Sequence, residues 1–270
     1  VIDLAPQTYF LLFAAGVAAG IINTVAGGGS VITLPILIFA GLPASVANAT
    51  NRIGLIAQNV TAIWQFRRHK VREWHLSWRL TLVAAAGAIL GVRLAVFLPD
   101  ESFNQVLGYL MLALLVLLLK APKPHLVSEG APENPWEPLT TRAKAGLLAG
   151  FFALGVYAGF IQAGMGVMVL LVLGYFLRID LVRGNYIKLV IILGLTFVAL
   201  AVFLQQGVRV EWIAGFAVAL GQMLGAAIGT WVAVSKGERW IKGIMAVAIV
   251  LSSAKLLGWL DALGRWLAPG

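Results

Sequence analysis

The sequence predicts an all-α polytopic membrane protein made of two inverted repeats, each a re-entrant broken-helix hairpin plus three full transmembrane helices. Three observations predict it. Sixty per cent of the 270 residues are hydrophobic and only 11% are charged, where a soluble domain carries about a quarter. Apolar runs long enough to span a bilayer recur along the chain. The order of those runs repeats after a polar, proline-rich stretch, APKPHLVSEGAPENPWEP, at 121–138. The predicted units are therefore an N-terminal repeat (1–120), a cytoplasmic linker (121–141) and a C-terminal repeat (142–270).

Ten apolar segments follow in order. The first half has 9–26, 30–42, 44–66, 79–99 and 102–120; the second has 142–163, 166–177, 181–206, 211–234 and 239–260. Segments 30–42 and 166–177 are too short to cross, because 12 or 13 residues reach only about 20 Å against a hydrocarbon core of about 30 Å. Each is read as the second arm of a hairpin that enters and leaves by one face. Each half then makes three crossings, and the second half is inverted. Local motifs agree with the repeat: GVAAG (16–20) parallels GVYAG (155–159), and Gly87 and Gly91 parallel Gly221 and Gly225. Both are small-xxx-small spacings suited to close helix packing. GLPASVANATNRIG (41–54) lies over RIDLVRGNYIKLVI (178–191), which sets Asn48 on Asn185 and Asn51 on Lys188.

The formal net charge is +9, but the basic residues sit mostly in loops, which argues for membrane orientation and against nucleic acid. With the loop RRHKVREWHLSWR (67–79) inside, 14 of the 20 Lys and Arg fall on the cytoplasmic side and two outside, as the positive-inside rule requires. The expected location is the inner (cytoplasmic) membrane. The chain has no cysteine, which excludes disulfides and cysteine-ligated metals. No cofactor or metal is expected. His69, His75 and His125 lie in loops, and no HExxH, GxSxG or P-loop pattern occurs, so nothing points to an enzyme. Trp64, Trp74, Trp78, Trp212, Trp240 and Trp259 fall near segment ends and read as an interfacial belt. The segment at 9–26 lacks a basic n-region, unlike a cleaved signal peptide.

The candidate site is at the glycine-rich breaks. TVAGGGSVITLP (24–35) places Gly27, Gly28, Gly29 and Ser30 before one short segment; QAGMG (162–166) places Gln162, Gly164 and Gly166 before the other. Non-helical backbone at membrane depth is tolerated only where protein buries it or a cavity abuts it. Inverted repeats with broken helices meeting at mid-membrane are the usual architecture of secondary-transporter sites. Two helix N-termini facing one cavity favour an anion. Arg52 and Lys188 lie about two turns into the crossings that follow the short segments, and no segment carries an Asp or Glu in its interior. A charge at that depth is costly and normally finds a partner. A bound anion would fill that role; bonding to helix carbonyls is the alternative. Arg93 and Lys255 are close enough to a segment end to snorkel. Asn23, Thr24, Ser30, Thr33, Asn48, Thr50, Asn51, Gln58 and Asn59 add a polar seam in the first half, with Gln162, Asn185 and Gln222 in the second. Those nearest the breaks, Asn23, Ser30, Asn51 and Gln162, are the candidate ligand contacts, with Asn185 beside Lys188.

The stretch AGIINTVAGGGSVITLPILIFAGLPASVANATNRIG (19–54) resembles the sulfite exporter TauE/SafE family of membrane transporters. GVYAGFIQAGMG and RIDLVRGNYIKLV resemble the signatures of that family's second repeat. The resemblance spans essentially the entire chain and implies passage of small sulfur oxyanions: sulfite, sulfonates such as sulfoacetate, or thiosulfate. The expected function is export of such an anion by alternating access around a midplane site. Uptake, an anion channel of the same build, and a non-transporting membrane subunit of a complex are the alternatives. The expected partners are the anionic substrate and the lipid bilayer, with pairing of two copies as a homodimer left open.

Overall fold

The computed structural model describes residues 4–26, 29–68, 73–120, 134–177, 179, 181–236 and 238–260. Within them run ten helices: α1 Pro6–Ala26, α2 Ser30–Phe39, α3 Ala44–Arg68, α4 Trp74–Phe97, α5 Asp100–Lys120, α6 Thr141–Phe160, α7 Met165–Phe176, α8 Leu181–Gln205, α9 Trp212–Lys236 and α10 Glu238–Leu256. No strand occurs among the described residues. Each predicted segment corresponds to one helix. The differences are at the ends: α4 starts at Trp74 rather than at 79, so that residues 74–79 of the predicted loop are helical, the first short helix stops at Phe39 rather than at 42, the sixth segment breaks after Phe160 rather than at 163, and α10 stops at Leu256 rather than at 260.

Local chemistry sets many of these ends. Pro6 opens α1, where its missing N–H costs nothing. Asp100 and Glu101 occupy the first turn of α5, next to the positive end of its dipole. The Thr140 hydroxyl accepts from Ala143 N at the start of α6. At the end of α2, Gly41 has φ +95; its N–H donates to Ile38 O at 2.9 Å and that of Leu42 to Leu37 O at 3.3 Å. That is a Schellman cap, which needs the left-handed residue that glycine supplies. Gly207, with φ +76, closes α8 by the same pair of bonds, to Leu204 O and Phe203 O.

Among the described residues, four helices are long and apolar enough to cross a membrane, with spans at Pro6–Thr24, Trp74–Phe97, Thr141–Phe160 and Val182–Gln205. Helix α3 is as long as α8, at 25 residues, but its mean hydropathy is lowered by Asn48, Asn51, Arg52, Gln58 and Asn59, all buried inside the bundle. Its polar residues face protein, not lipid. Helices α2 and α7 have 10 and 12 residues, about 15 and 18 Å of helix. Phe10, Leu82, Phe97, Tyr109, Phe216 and Leu251 are exposed, as expected of a surface that meets hydrocarbon. Trp64, Trp74, Trp78, Trp212 and Trp259 are exposed as well; the side chain of Trp240 lies outside the described residues.

The packing exchanges partners between the halves. Helix α1 packs most extensively on α9, and α6 on α4. The first pair meets through Gly16 and Gly20 against Gly221 and Gly225, the second through Gly155 and Gly159 against Gly87 and Gly91. A methyl group at any of these eight positions would collide with a backbone carbonyl of the facing helix. Helices α3 and α8 fill the groove beside each pair, α3 on α9 and α8 on α4, and touch each other. One apolar core gathers Leu12, Leu34, Leu37, Leu107, Met111 and Phe203. The other gathers Leu80, Phe151, Val169, Leu173, Ile187 and Ile191.

Without a hydrophobic force between helices in lipid, such contacts rest on van der Waals fit. Gly155→Val should therefore lower the thermal midpoint of the protein in detergent, by a loss of about 1–3 kcal/mol typical of overpacking. Leu82→Val, on the exposed face, should leave it unchanged.

Candidate functional site

The break between α6 and α7 is the best-defined polar feature of the interior. Helix α6 ends at Phe160, and the chain turns through Gln162 (φ +63) and Gly164 (φ +68) before α7 begins. A broken helix leaves its last four carbonyls without helical partners, and in lipid no water replaces them. Here each is met. Tyr157 O accepts from Ile161 N at 2.9 Å and from Gln162 N. Arg52 Nη2 donates to Ala158 O at 2.9 Å and to Gly159 O at 3.0 Å. Asn48 Nδ2 donates to Phe160 O at 2.6 Å. Both donors come from α3, one turn apart, so the first half caps the broken helix of the second.

Arg52 also fixes the turn itself. Its Nη1 donates to Gln162 Oε1 at 2.5 Å, and Gln162 Nε2 donates to Thr196 Oγ1 at 2.8 Å. Thr196 in turn donates to Ile192 O within α8. The Tyr157 hydroxyl donates to Ala163 O across the same turn. Gln162 holds a left-handed conformation that is uncommon for a residue with a side chain, and two hydrogen bonds anchor that side chain in place. The guanidinium lies 5.3 Å from the centroid of the Phe203 ring and at the negative end of the α6 dipole. Arg52 is fully buried, and among its side-chain nitrogens only Nε lacks a partner. The expectation that a bound anion is its natural partner meets a different arrangement: carbonyls, Gln162 and Asn48 take most of its donors.

The other break lies between α1 and α2. Gly27 and Gly28 lie outside the described residues. Gly29 has helical angles, φ −56 and ψ −34; its N–H points to Asn23 Oδ1 at 3.4 Å. A Cβ on Gly29 would lie 2.5 Å from Ala19 O, so glycine lets α2 start directly against α1. Ser30 is buried at that start. Thr33 Oγ1 donates to Asn51 Oδ1 at 2.6 Å, which ties α2 to α3. Thr24 turns back to Gly20 O in its own helix.

Lys188 is the second interior cation. It is buried, and its Nζ donates to Asn185 Oδ1 at 2.7 Å. An ammonium carries three donors. Among the described residues no Asp or Glu pairs with Lys188 or Arg52; the ion pair shown there joins Arg183 to Glu73 at 2.5 Å. Gly166 lies inside the first turn of α7, buried, with Gly164 as the cap.

The sequence-derived residues thus fall into separate clusters: Arg52 with Gln162, Asn51 with Thr33, Asn23 with Gly29, and Lys188 with Asn185. Arg52 and Lys188 share no hydrogen bond. Asn48, Thr196 and Tyr157 complete the α6–α7 turn. Asn48 was detectable, four residues before Arg52 and on the same helix face; the carbonyl acceptors leave no mark in a sequence. Lys255 Nζ rests 4.9 Å from the Phe39 ring, and Arg93 is exposed, so neither joins the interior clusters. No group of three or more metal-ligating side chains occurs among the described residues.

A helical membrane bundle with two short helices and two buried cations that pair with no carboxylate among the described residues has the build of a membrane transporter. Residues 12–256 match the family described as sulfite exporter TauE/SafE, and the chain belongs to that family of membrane transporters, which are not enzymes. It is 31% identical over 262 residues, covering 94% of each chain, to the probable membrane transporter protein ORF9 of a Sinorhizobium species. It is 27% identical to a probable membrane transporter protein of Haemophilus influenzae, over 95% of this chain and 98% of that one. It is likewise 27% identical to the probable membrane transporter protein YfcA of Escherichia coli, over 94% and 91%. No solved structure matches the chain.

Two substitutions test the cap. Asn48→Ala, which orphans Phe160 O alone, should destabilise by about 1–3 kcal/mol, the cost of one buried unsatisfied group. Arg52→Lys should cost more, since one ammonium cannot serve two carbonyls and a side-chain amide in the same plane. Thermal unfolding in detergent reads both.

Proposed function

We propose that the protein exports a small sulfur oxyanion, sulfite or an organosulfonate such as sulfoacetate, across the cytoplasmic membrane by alternating access. The observation that carries this reading is Lys188, a buried ammonium that has a single amide partner and no carboxylate among the described residues. A cation so placed is costly, and an anion is the guest that offsets it. In this reading Lys188 and Asn185 bind the oxyanion directly, with Asn51, Asn23, Ser30 and the backbone at Gly27–Gly29 and Gly164–Gly166 completing the site. Arg52 lends charge from behind Gln162 and keeps the α6–α7 turn in shape.

Residues 1–120 and 142–270 act as inverted repeats that rock about this site, joined by a cytoplasmic linker at 121–141. The exchanged packing of α1 on α9 and α6 on α4 supports this, since an internal two-fold relation would produce it. The Arg183–Glu73 ion pair joins the start of α8 to the segment before α4, two places that the positive-inside rule assigns to the cytoplasmic face.

Export needs no elaborate coupling. An anion leaving an interior-negative cell at about 100 mV gains roughly 2.3 kcal/mol for each negative charge it carries. Purified protein should gain thermal stability with sulfite, thiosulfate or sulfoacetate and not with lactate, because a ligand that prefers the folded state raises its midpoint. Lys188→Gln should abolish that gain while leaving the ligand-free midpoint at or above the wild-type value. An unchanged gain in Lys188→Gln would remove Lys188 from the site. Flux into proteoliposomes should carry negative charge, read as a voltage dependence of sulfite uptake.

A further inference from the structure

A second group of buried polar atoms lies outside the clusters above. Gln222 of α9 is fully buried, and neither its Oε1 nor its Nε2 has a hydrogen-bond partner. Gln58 of α3, 2% exposed, donates from Nε2 towards Gly20 O of α1 at 3.4 Å, and its Oε1 has no partner. Both lie where α1, α3 and α9 meet: Gln58 reaches Gly20, which faces the Gln222 carbonyl, and the missing side chain of Gly54, one turn before Gln58, leaves the space in which the Gln222 carboxamide lies, 2.8 Å from where a Cβ would stand. Unpaired polar atoms inside a membrane bundle are costly, so their presence asks for a reason.

The molecule contains its own control. Gly16 and Gly20 of α1 approach the carbonyls of Val218 and Gln222, and Gly155 and Gly159 of α6 approach those of Ala84 and Ala88. Ala88 therefore stands where Gln222 stands. On the helix beside each pair, setting Asn48 over Asn185 places Gly54 over Ile191 and Gln58 over Leu195. Ala88, Ile191 and Leu195 are all fully buried. The same three-helix contact is thus built once from apolar residues alone, so packing does not require the two glutamines.

We infer that Gln58 and Gln222 form a hydrogen-bonding station on the substrate path that reads the protonated form of the oxyanion; this rests on the transport reading above. The chemistry follows from the free atoms. The bond to Gly20 O fixes the Gln58 amide with its oxygen unpaired, and that oxygen demands a donor. Gln222 offers one acceptor and two donors. A monoanion that keeps an O–H, such as hydrogensulfite, donates to the Gln58 oxygen and accepts from Gln222 Nε2. A bare dianion would set its oxygens against a carbonyl. The carboxamide of Gln222 rests on Gly54, so the ligand enters as that side chain swings aside or α3 and α9 part. Among the described side chains, the titratable or charged groups on the packed elements are Tyr9 on α1, Arg52 and Arg67 on α3, Arg183, Tyr186 and Lys188 on α8, Lys255 on α10, and none on α9. Tyr9 lies three turns from Gly20 and Arg67 two and a half turns from Gln58; Arg52 is committed to α6, Arg183 to Glu73, and Tyr186 and Lys255 lie against Phe66 and Phe39. Lys188, held by Asn185, is the group whose titration competes with that of the ligand, so the pH response belongs to the amides only if it disappears in Gln222→Met, which leaves Lys188 in place.

The test replaces both amides by apolar side chains. Gln58→Leu, as at Leu195, with Gln222→Met, which keeps the space beside Gly54 filled, should keep a ligand-free thermal midpoint at or above the wild type, and should lose at least tenfold in sulfite affinity by thermal shift and in sulfite flux into proteoliposomes. Gln222→Met, close in volume and without hydrogen bonds, gives the same readout if the double variant does not accumulate. The wild-type response should be larger below the second ionisation of sulfite than above it. Undiminished sulfite affinity in both variants, or a wild-type response equal on the two sides of that ionisation, overturns the inference while the transport reading stands. A wild type that responds to neither sulfite, thiosulfate nor sulfoacetate removes the transport reading and this inference together.

Discussion

The structure depends on one constraint: a helix that stops in the interior of the bundle must have its last carbonyls met by protein. Helix α6 stops at Phe160, and the donors that meet its end come from α3 of the other half, Arg52 to Ala158 and Gly159 and Asn48 to Phe160. Nothing in α6 or α7 could do this, because the turn between them is four residues long and its one amide side chain is spent on Arg52 and Thr196. The break in one half therefore exists only with the other half in place. The glycine-paired contacts of α1 with α9 and α6 with α4 work in the same direction, since each pair takes one helix from each half.

This interdependence gives a physical reason for keeping a full positive charge at the core. A neutral amide could cap one carbonyl; a guanidinium caps two, fixes Gln162 and remains charged at any physiological pH. Burying it without a carboxylate leaves a net positive potential around the turn, softened by the carbonyl dipoles and the Phe203 face. Lys188 adds to that potential from α8 with a single amide as company. In the proposed cycle the two cations divide the labour. Arg52 holds the frame, and Lys188 meets the guest.

Much of the fold was legible in the sequence because lipid imposes simple rules. Ten apolar runs became ten helices, and the two short ones were recognisable by length alone. Glycine spacings at 16 and 20 or 155 and 159 marked close contacts, but not which helix came close, since a small residue specifies a gap and not its occupant. The candidate site was legible in part. Arg52, Gln162, Lys188 and Asn185 stand out as polar residues in apolar surroundings. That Arg52 serves carbonyls could be read only as the alternative to a bound anion, because main-chain acceptors are the same at every position and a sequence does not mark which are free. Gln58 and Gln222 looked like ordinary members of a polar seam until the packing showed them without partners.

In the proposed cycle the α6–α7 turn sits at mid-depth beside a space that an anion visits. The chain has no cysteine, so one cysteine placed at Ala163 reports that space alone. Labelling by a membrane-impermeant thiol reagent in oriented vesicles, with and without sulfite, measures it most directly. The account predicts reaction from at least one face and slowing by millimolar sulfite, but not by lactate. A cysteine there that reacts from neither face, or reacts at the same rate with sulfite present, would contradict it.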